Sequence, residues 1–186
     1  MRETCLTNQF LIAMPGLADP NFFHSVTYIC EHNKHGAMGI VINQPVDLTL
    51  GEVVDYLGIK NGHNEKMRQT VFRGGPVETD RGFVLHNPLG KWESTLNVTP
   101  RIGLSTSNDI VEALARGEGP EHCLVALGYA GWGAGQLERE LGENAWINCM
   151  ADEQVLFHMD SAERWQAAVS LVGIDLNHLS GDVGHA

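Results

Sequence analysis

The stretch GYAGWGAGQLERE, residues 128–140, places Gly128, Gly131, Gly133 and Gly135 just ahead of a helix-like run. A strand, then glycines, then a helix start can hold an anion on backbone N–H groups. The stretch departs from both phosphate-binding patterns it approaches. No lysine or hydroxyl residue closes it as in G-x-x-x-x-G-K-[ST], and GWGAGQ brings its third glycine one residue too early for G-x-G-x-x-G. Glu138 and Glu140 complement a helix start and compete with a phosphate there. The stretch therefore reads first as a structural corner, with a ligand loop as the alternative. In the corner reading the run CLVALG leaves the sheet abruptly, and Trp132 folds back over the sheet edge. A positive φ at Gly131 makes valine there destabilising.

Other reactive residue types give weaker signals. Ser105, Thr106 and Ser107 stand at a strand-to-helix junction, but G-x-S-x-G is absent, and helix capping accounts for them. His32 and His35 share a hairpin, yet nothing nearby supplies the further ligands that zinc needs. No metal and no cofactor are expected. Cys5, Cys30, Cys123 and Cys149 form no C-x-x-C pair, and three of them lie in apolar runs, as free buried thiols do. Arg81, in RGGPVETDRGF, can pin a carboxylate or phosphate, or equally pair with Asp80 or another carboxylate and fix its own loop.

Short β-type runs separated by turns must position these residues. They are 10–14, 25–32, 37–44, 70–74, 82–86, 94–99, 102–106, 123–128 and 145–150. The polar, Gly-ended link Asn33–Gly36 predicts a hairpin, and PVETDR similarly joins the runs on either side of it. Helices are expected over 49–58, with Thr49 and Glu52 at capping-box spacing, and over 106–117, 136–141, 152–157 and 161–173. Residues 60–69 read as a loop, and 178–186 as a mobile tail. DPN at 19–21 marks a turn, with Phe22 and Phe23 plugging apolar surface. Hairpins mixed irregularly with helices predict an α+β fold: a single compact domain over 1–186, with a mostly antiparallel or mixed β-sheet and a few short helices packed on it.

The 186 residues suit one domain, and 43% are apolar, enough for a core. No run approaches the length of a membrane span, and the apolar stretch at 10–14 is too short for a signal peptide, so a cytoplasmic protein is expected. The net charge of −11, with Lys and Arg scattered, argues against direct nucleic acid contact.

Taken together, FLIAMPGLADPNF, EHNKHGAMGIVINQP, FRGGPVETDRGFVLH, LSTSNDI and LGYAGWGAGQLERELGENAW resemble the AlgH/YqgE family of bacterial proteins. They occur in order over nearly the whole chain. The resemblance implies one α+β domain and carries the label of transcriptional regulator, but it supplies no catalytic residue. The function expected is regulation or interaction through a protein or small-molecule partner. The alternative is an enzyme or nucleotide- or anion-binding protein with a cleft built from loops 31–36, 74–82 and 128–138. Its binding residues are Asn33, Gly74, Gly75, Arg81, Gly131, Trp132, Gln136 and Glu138.

Overall fold

A computed structural model describes residues 5–14, 19–20 and 22–173. In chain order these form β1 (Gln9–Ala13), β2 (Val26–Asn33), β3 (Gly36–Val41), β4 (Pro45–Thr49), α1 (Leu50–Tyr56), β5 (Thr70–Arg73), β6 (Val77–Asn87), β7 (Thr95–Asn97), β8 (Gly103–Ser105), α2 (Asn108–Ala115), β9 (His122–Gly133), α3 (Gln136–Gly142), β10 (Trp146–Met150), α4 (Glu153–Phe157) and α5 (Ser161–Val172). The strands make one ten-stranded sheet in the order β10-β1-β2-β3-β9-β6-β8-β7, with β5 beside β9 and β4 beside β5. All pairings are antiparallel except β5 with β9. The α+β architecture with short helices is as expected.

Local chemistry explains the elements read correctly. The apolar run of β2 turns through Lys34-His35 into β3, a hairpin held from Thr27↔Val41 to Asn33↔Gly36. Thr49 accepts the Glu52 N–H at 3.2 Å and starts α1; Asp152 caps α4 in the same way. Gly173, at φ 80°, ends α5. Three apolar clusters cover the sheet. Phe10, Tyr28, Ile40 and Leu85 pack under α4 and α5. Leu50 and Val54 of α1 and Ile110 and Leu114 of α2 cluster with Val71, Val84 and Val125 of the sheet, and Leu137 of α3 clusters with Leu11, Ile29, Trp132 and Trp146.

Three expectations are corrected. The glycine stretch does not leave the sheet after Gly128: β9 runs on to Gly133, exchanging neighbours along its length. PVETDR is not a hairpin, because β5 and β6 do not pair; they flank β9 on opposite sides, with Phe72 and Phe83 both aligned on Ala126. Residues 60–69 contain a 3-10 turn at Glu65–Arg68, capped by Asn64. The expected tail at 178–186 and Asn21 lie outside the described residues.

Candidate functional site

The chain passes from β5 to β6 by crossing the backbone of β9. Gly74 N–H donates to Leu127 O at 2.8 Å, and Gly74 O accepts from Val41 N–H at 2.8 Å. A Cβ on Gly74 would stand 2.3 Å from Gly128 O, and one on Gly75 2.1 Å from the Tyr129 carbonyl carbon. Gly128, at φ 79°, would in turn meet Gly75 O at 2.5 Å. These glycines are explained by backbone lying on backbone, which no other residue permits. The crossing divides the expected cleft into two concavities.

The first is a cleft of ≈ 650 Å³ between the β2–β3 tip and α3, lined by Cys5, His32, Asn33, Lys34, Glu138 and Asn148. His32, its side chain 6% exposed, accepts the Leu6 N–H on Nδ1 at 3.0 Å. Its proton therefore sits on Nε2, which donates to Glu138 Oε1. Hydrogen bonds from its own backbone N–H and from His32 hold the half-exposed Glu138 carboxyl below its usual range. The pair looks like a base with its orienting carboxylate, but neither imidazole nitrogen is open to a substrate. Asn33 Oδ1 is also engaged, accepting the His35 N–H at 2.8 Å to shape the hairpin tip.

Glu140 does not act as expected at the helix start. Burial raises its carboxyl above the usual range, and the Trp132 indole, Arg139, the Trp146 indole and Gln136 only partly offset this. Among the described residues neither Glu140 Oε2 nor Trp146 Nε1 has a partner at hydrogen-bond distance, so the Trp146 indole acts through proximity.

The second concavity, of ≈ 560 Å³, is a more open groove beside Gly131, with Met38, Val77, Glu78, Arg81, Phe83 and Tyr129 around it. Arg81 pairs with Glu78 at 3.2 Å, both about half exposed, and its guanidinium lies 5.5 Å from the Phe83 ring centroid. The carboxylate partner is thus Glu78 and not Asp80. Phe83 meets Tyr129 edge-on at 5.6 Å. Trp132 borders this groove, but its ring is 6% exposed and packs in the core with Phe22 and Trp146 at 6.3 and 6.0 Å. It does not fold over a sheet edge. Gly131 has no positive φ, and a Cβ there would meet only the Tyr129 ring, at 3.4 Å. The left-handed corner is Gly135, φ 73°, at the start of α3.

Of the eight expected residues, Asn33 and Glu138 thus fall in the cleft, while Arg81, Gly131 and Trp132 border the groove. Gly74 and Gly75 lie at the crossing, and Gln136 Oε1 accepts the Gly133 N–H at 3.0 Å.

A further polar network was not anticipated. His86 in β6 and Ser105 in β8 are both fully buried. His86 Nδ1–H donates to Pro88 O at 2.9 Å, so Nε2 accepts the Ser105 hydroxyl at 2.7 Å. Thr95 Oγ1 then donates to Ser105 Oγ at 2.7 Å. Burial depresses the His86 pKa, against the opposing effect of the Pro88 carbonyl. Hydroxyl, base and orienting acceptor are in order, but with no exposure they stitch β6, β7 and β8 together. Ser105 is therefore not a helix cap. Ser107 holds the capping position of α2 but accepts no backbone N–H from the helix; its hydroxyl donates instead to the Asp109 carboxylate. His86 ends a run buried on both faces from Phe83 onward, so no polar–apolar alternation singles it out, and its partners carry no local sequence signal.

All four cysteines are free thiols, and burial raises Cys30, Cys123 and Cys149 above the usual range. Among the described residues no group of three or more His, Cys, Asp or Glu side chains is placed to hold a metal. No described helix is long and apolar enough to cross a membrane.

Comparison with known proteins places this geometry. A family model described as AlgH-like matches residues 10–177. A UPF0301 protein of Thioalkalivibrio sulfidiphilus is 61% identical over 180 residues, covering 97% of this chain and 96% of the relative. A UPF0301 protein of Nitrosococcus oceani is 50% identical, with 100% of both chains covered. The solution structure of the AlgH protein from Pseudomonas aeruginosa superposes with a TM-score of 0.81 at 47% identity over 100% of both chains. A Corynebacterium diphtheriae protein shares the fold, with a TM-score of 0.71 at 18% identity over 91% of this chain and 88% of its own.

Proposed function

The chain belongs to the AlgH-like family, and from that premise we propose that it is a cytoplasmic regulatory or interaction protein. It works by recognising a small polar molecule or a protein partner, and not by contacting DNA. The cleft beside the β2–β3 tip carries this reading. Lys34 and Glu138 line it with opposite charges, Asn33 and Asn148 add amide groups, and His32 is pinned on both nitrogens. Such a lining suits a zwitterionic ligand, because each charge has a counterpart and the amides orient the rest. The net charge of −11 supports the absence of a DNA contact.

The test is an NMR titration of the full chain with a panel of amino acids and mononucleotides. Saturable shifts confined to residues 32–34, 138 and 148, lost in Lys34→Glu, are the expected result. A panel without saturable shifts there removes the small-ligand form of the reading. Tight, sequence-dependent DNA binding that persists as salt is raised overturns the rest.

A further inference from the structure

Strand β9 is closed unevenly. Along one side, β3 pairs with it from Gly39↔Ala130 to Gly36↔Gly133. Along the other, β6 follows it from Asn87↔His122 only as far as Val77↔Tyr129. There the chain turns away through Gly75 and Pro76 to cross over, and among the described residues no strand lies beside Gly131–Gly133 on that side.

The backbone groups there can be oriented. Gly133 N–H donates to Gln136 Oε1 and not to its register partner Gly36. The Gly36–Gly133 pair is therefore of the type that exchanges no hydrogen bonds. By alternation along β9, Gly131 also turns its N–H and C=O away from β3. Gly131 and Gly133 are both exposed and carry no side chain to cover the ladder. Open edges in soluble proteins are ordinarily guarded by lysine, proline or a bulge. Here, among the described residues, the Gln136 amide occupies one donor.

We propose that this vacant position takes an extended, cationic segment of a partner protein as an added strand. The inference does not depend on a ligand in the His32 cleft. The groove beside the edge supplies the side-chain reading that strand addition needs, with Met38, Phe83 and Tyr129 receiving an apolar residue. Charge selects the partner. Arg81 is already matched by Glu78, Asp80 adds an exposed carboxylate on the same strand, and the whole chain carries −11.

The probes are capped peptides that alternate valine or phenylalanine with threonine between terminal lysines. They are titrated into the full chain and followed by NMR and amide exchange. Expected are shifts at Phe83, Tyr129 and Gly131–Gly133, and exchange at the Gly131 amide slowed about tenfold or more. Methylating the peptide nitrogens that face β9 should abolish binding, and glutamate in place of lysine should weaken it. Gln136→Ala, which frees the Gly133 N–H without touching the crossing, should tighten it a few-fold. The proposal is overturned by absence of binding at millimolar peptide, or by binding indifferent to methylation or to charge reversal. It is equally overturned by concentration-dependent dimerisation that protects Gly131 without peptide, which would make a second copy the occupant. Shifts confined to residues 32–34 and 148 would sink this inference while leaving the cleft reading intact.

Discussion

The two halves of β9 are enclosed differently, and glycine does opposite work at the crossing between them and in the open half beyond it. From Cys123 to Ala126 the strand is buried, with β6 along one side throughout and β5 joining on the other at Ala126. From Gly131 to Gly133 it is flanked, among the described residues, on one side, and both glycines are exposed. Gly128 stands between, where the chain crosses. A glycine at the crossing is fixed by contact distances, whereas a glycine beyond it is free of them. Richness in glycine is therefore not a single signal here, and substitution should separate the two kinds.

The largest effect is expected at the crossing. Gly75→Ala and Gly128→Ala each force a Cβ to within 2.5 Å or less of backbone atoms, and Gly128 also has a left-handed φ. Each should cost about 3 kcal/mol or more, or abolish folding, by urea denaturation. Gly131→Ala, in the open half, should stay within about 1 kcal/mol of the parent. If all three behave alike, the contrast between the halves is wrong.

Next comes the polar network beside the closed half. Ser105→Ala leaves His86 Nε2 buried without a donor and should cost about 1–3 kcal/mol. The same network sets a pH response. The folded protein holds His86 neutral below the unfolded value of about 6.5, so its contribution is complete above that pH. As pH falls below it, the unfolded chain takes up a proton that the folded chain refuses. Stability should decline toward the depressed folded pKa, at no more than about 1.4 kcal/mol per pH unit from this group. Urea midpoints between pH 7 and 5 check this; a midpoint rising over that range would remove His86 as its source. The smallest effect belongs to Glu138→Gln. With Glu138 half exposed, its loss should cost less than about 1 kcal/mol in a thermal melt at neutral pH.

What could be read beforehand follows from how far each signal reaches. The β2–β3 hairpin was legible because its apolar runs and its turn are contiguous, and α1 because Thr49 and Glu52 lie within one turn. The extension of β9 through GYAGWG was not, since glycine disfavours strands and its partners there, β3 and Val77 of β6, are remote in sequence. PVETDR carried a turn composition, but only Pro76 belongs to the crossing and Val77–Arg81 already form the exposed start of β6. Of the expected cleft, Asn33 and Glu138 do share a concavity. Their link through His32, 106 residues from Glu138, is tertiary and left no local trace.

The crossing at Gly74–Pro76 also bears on synthesis. A ribosome releases β5 and β6, already joined, well before the strand that lies between them. Until residues 122–133 emerge, Phe72 and Phe83 have no Ala126 to pack against, and both strands present bare edges. The nascent chain must hold that slot open, or open it again, while residues 88–133, roughly a quarter of the protein, are made. Such an order of events favours late, long-range assembly over early local collapse.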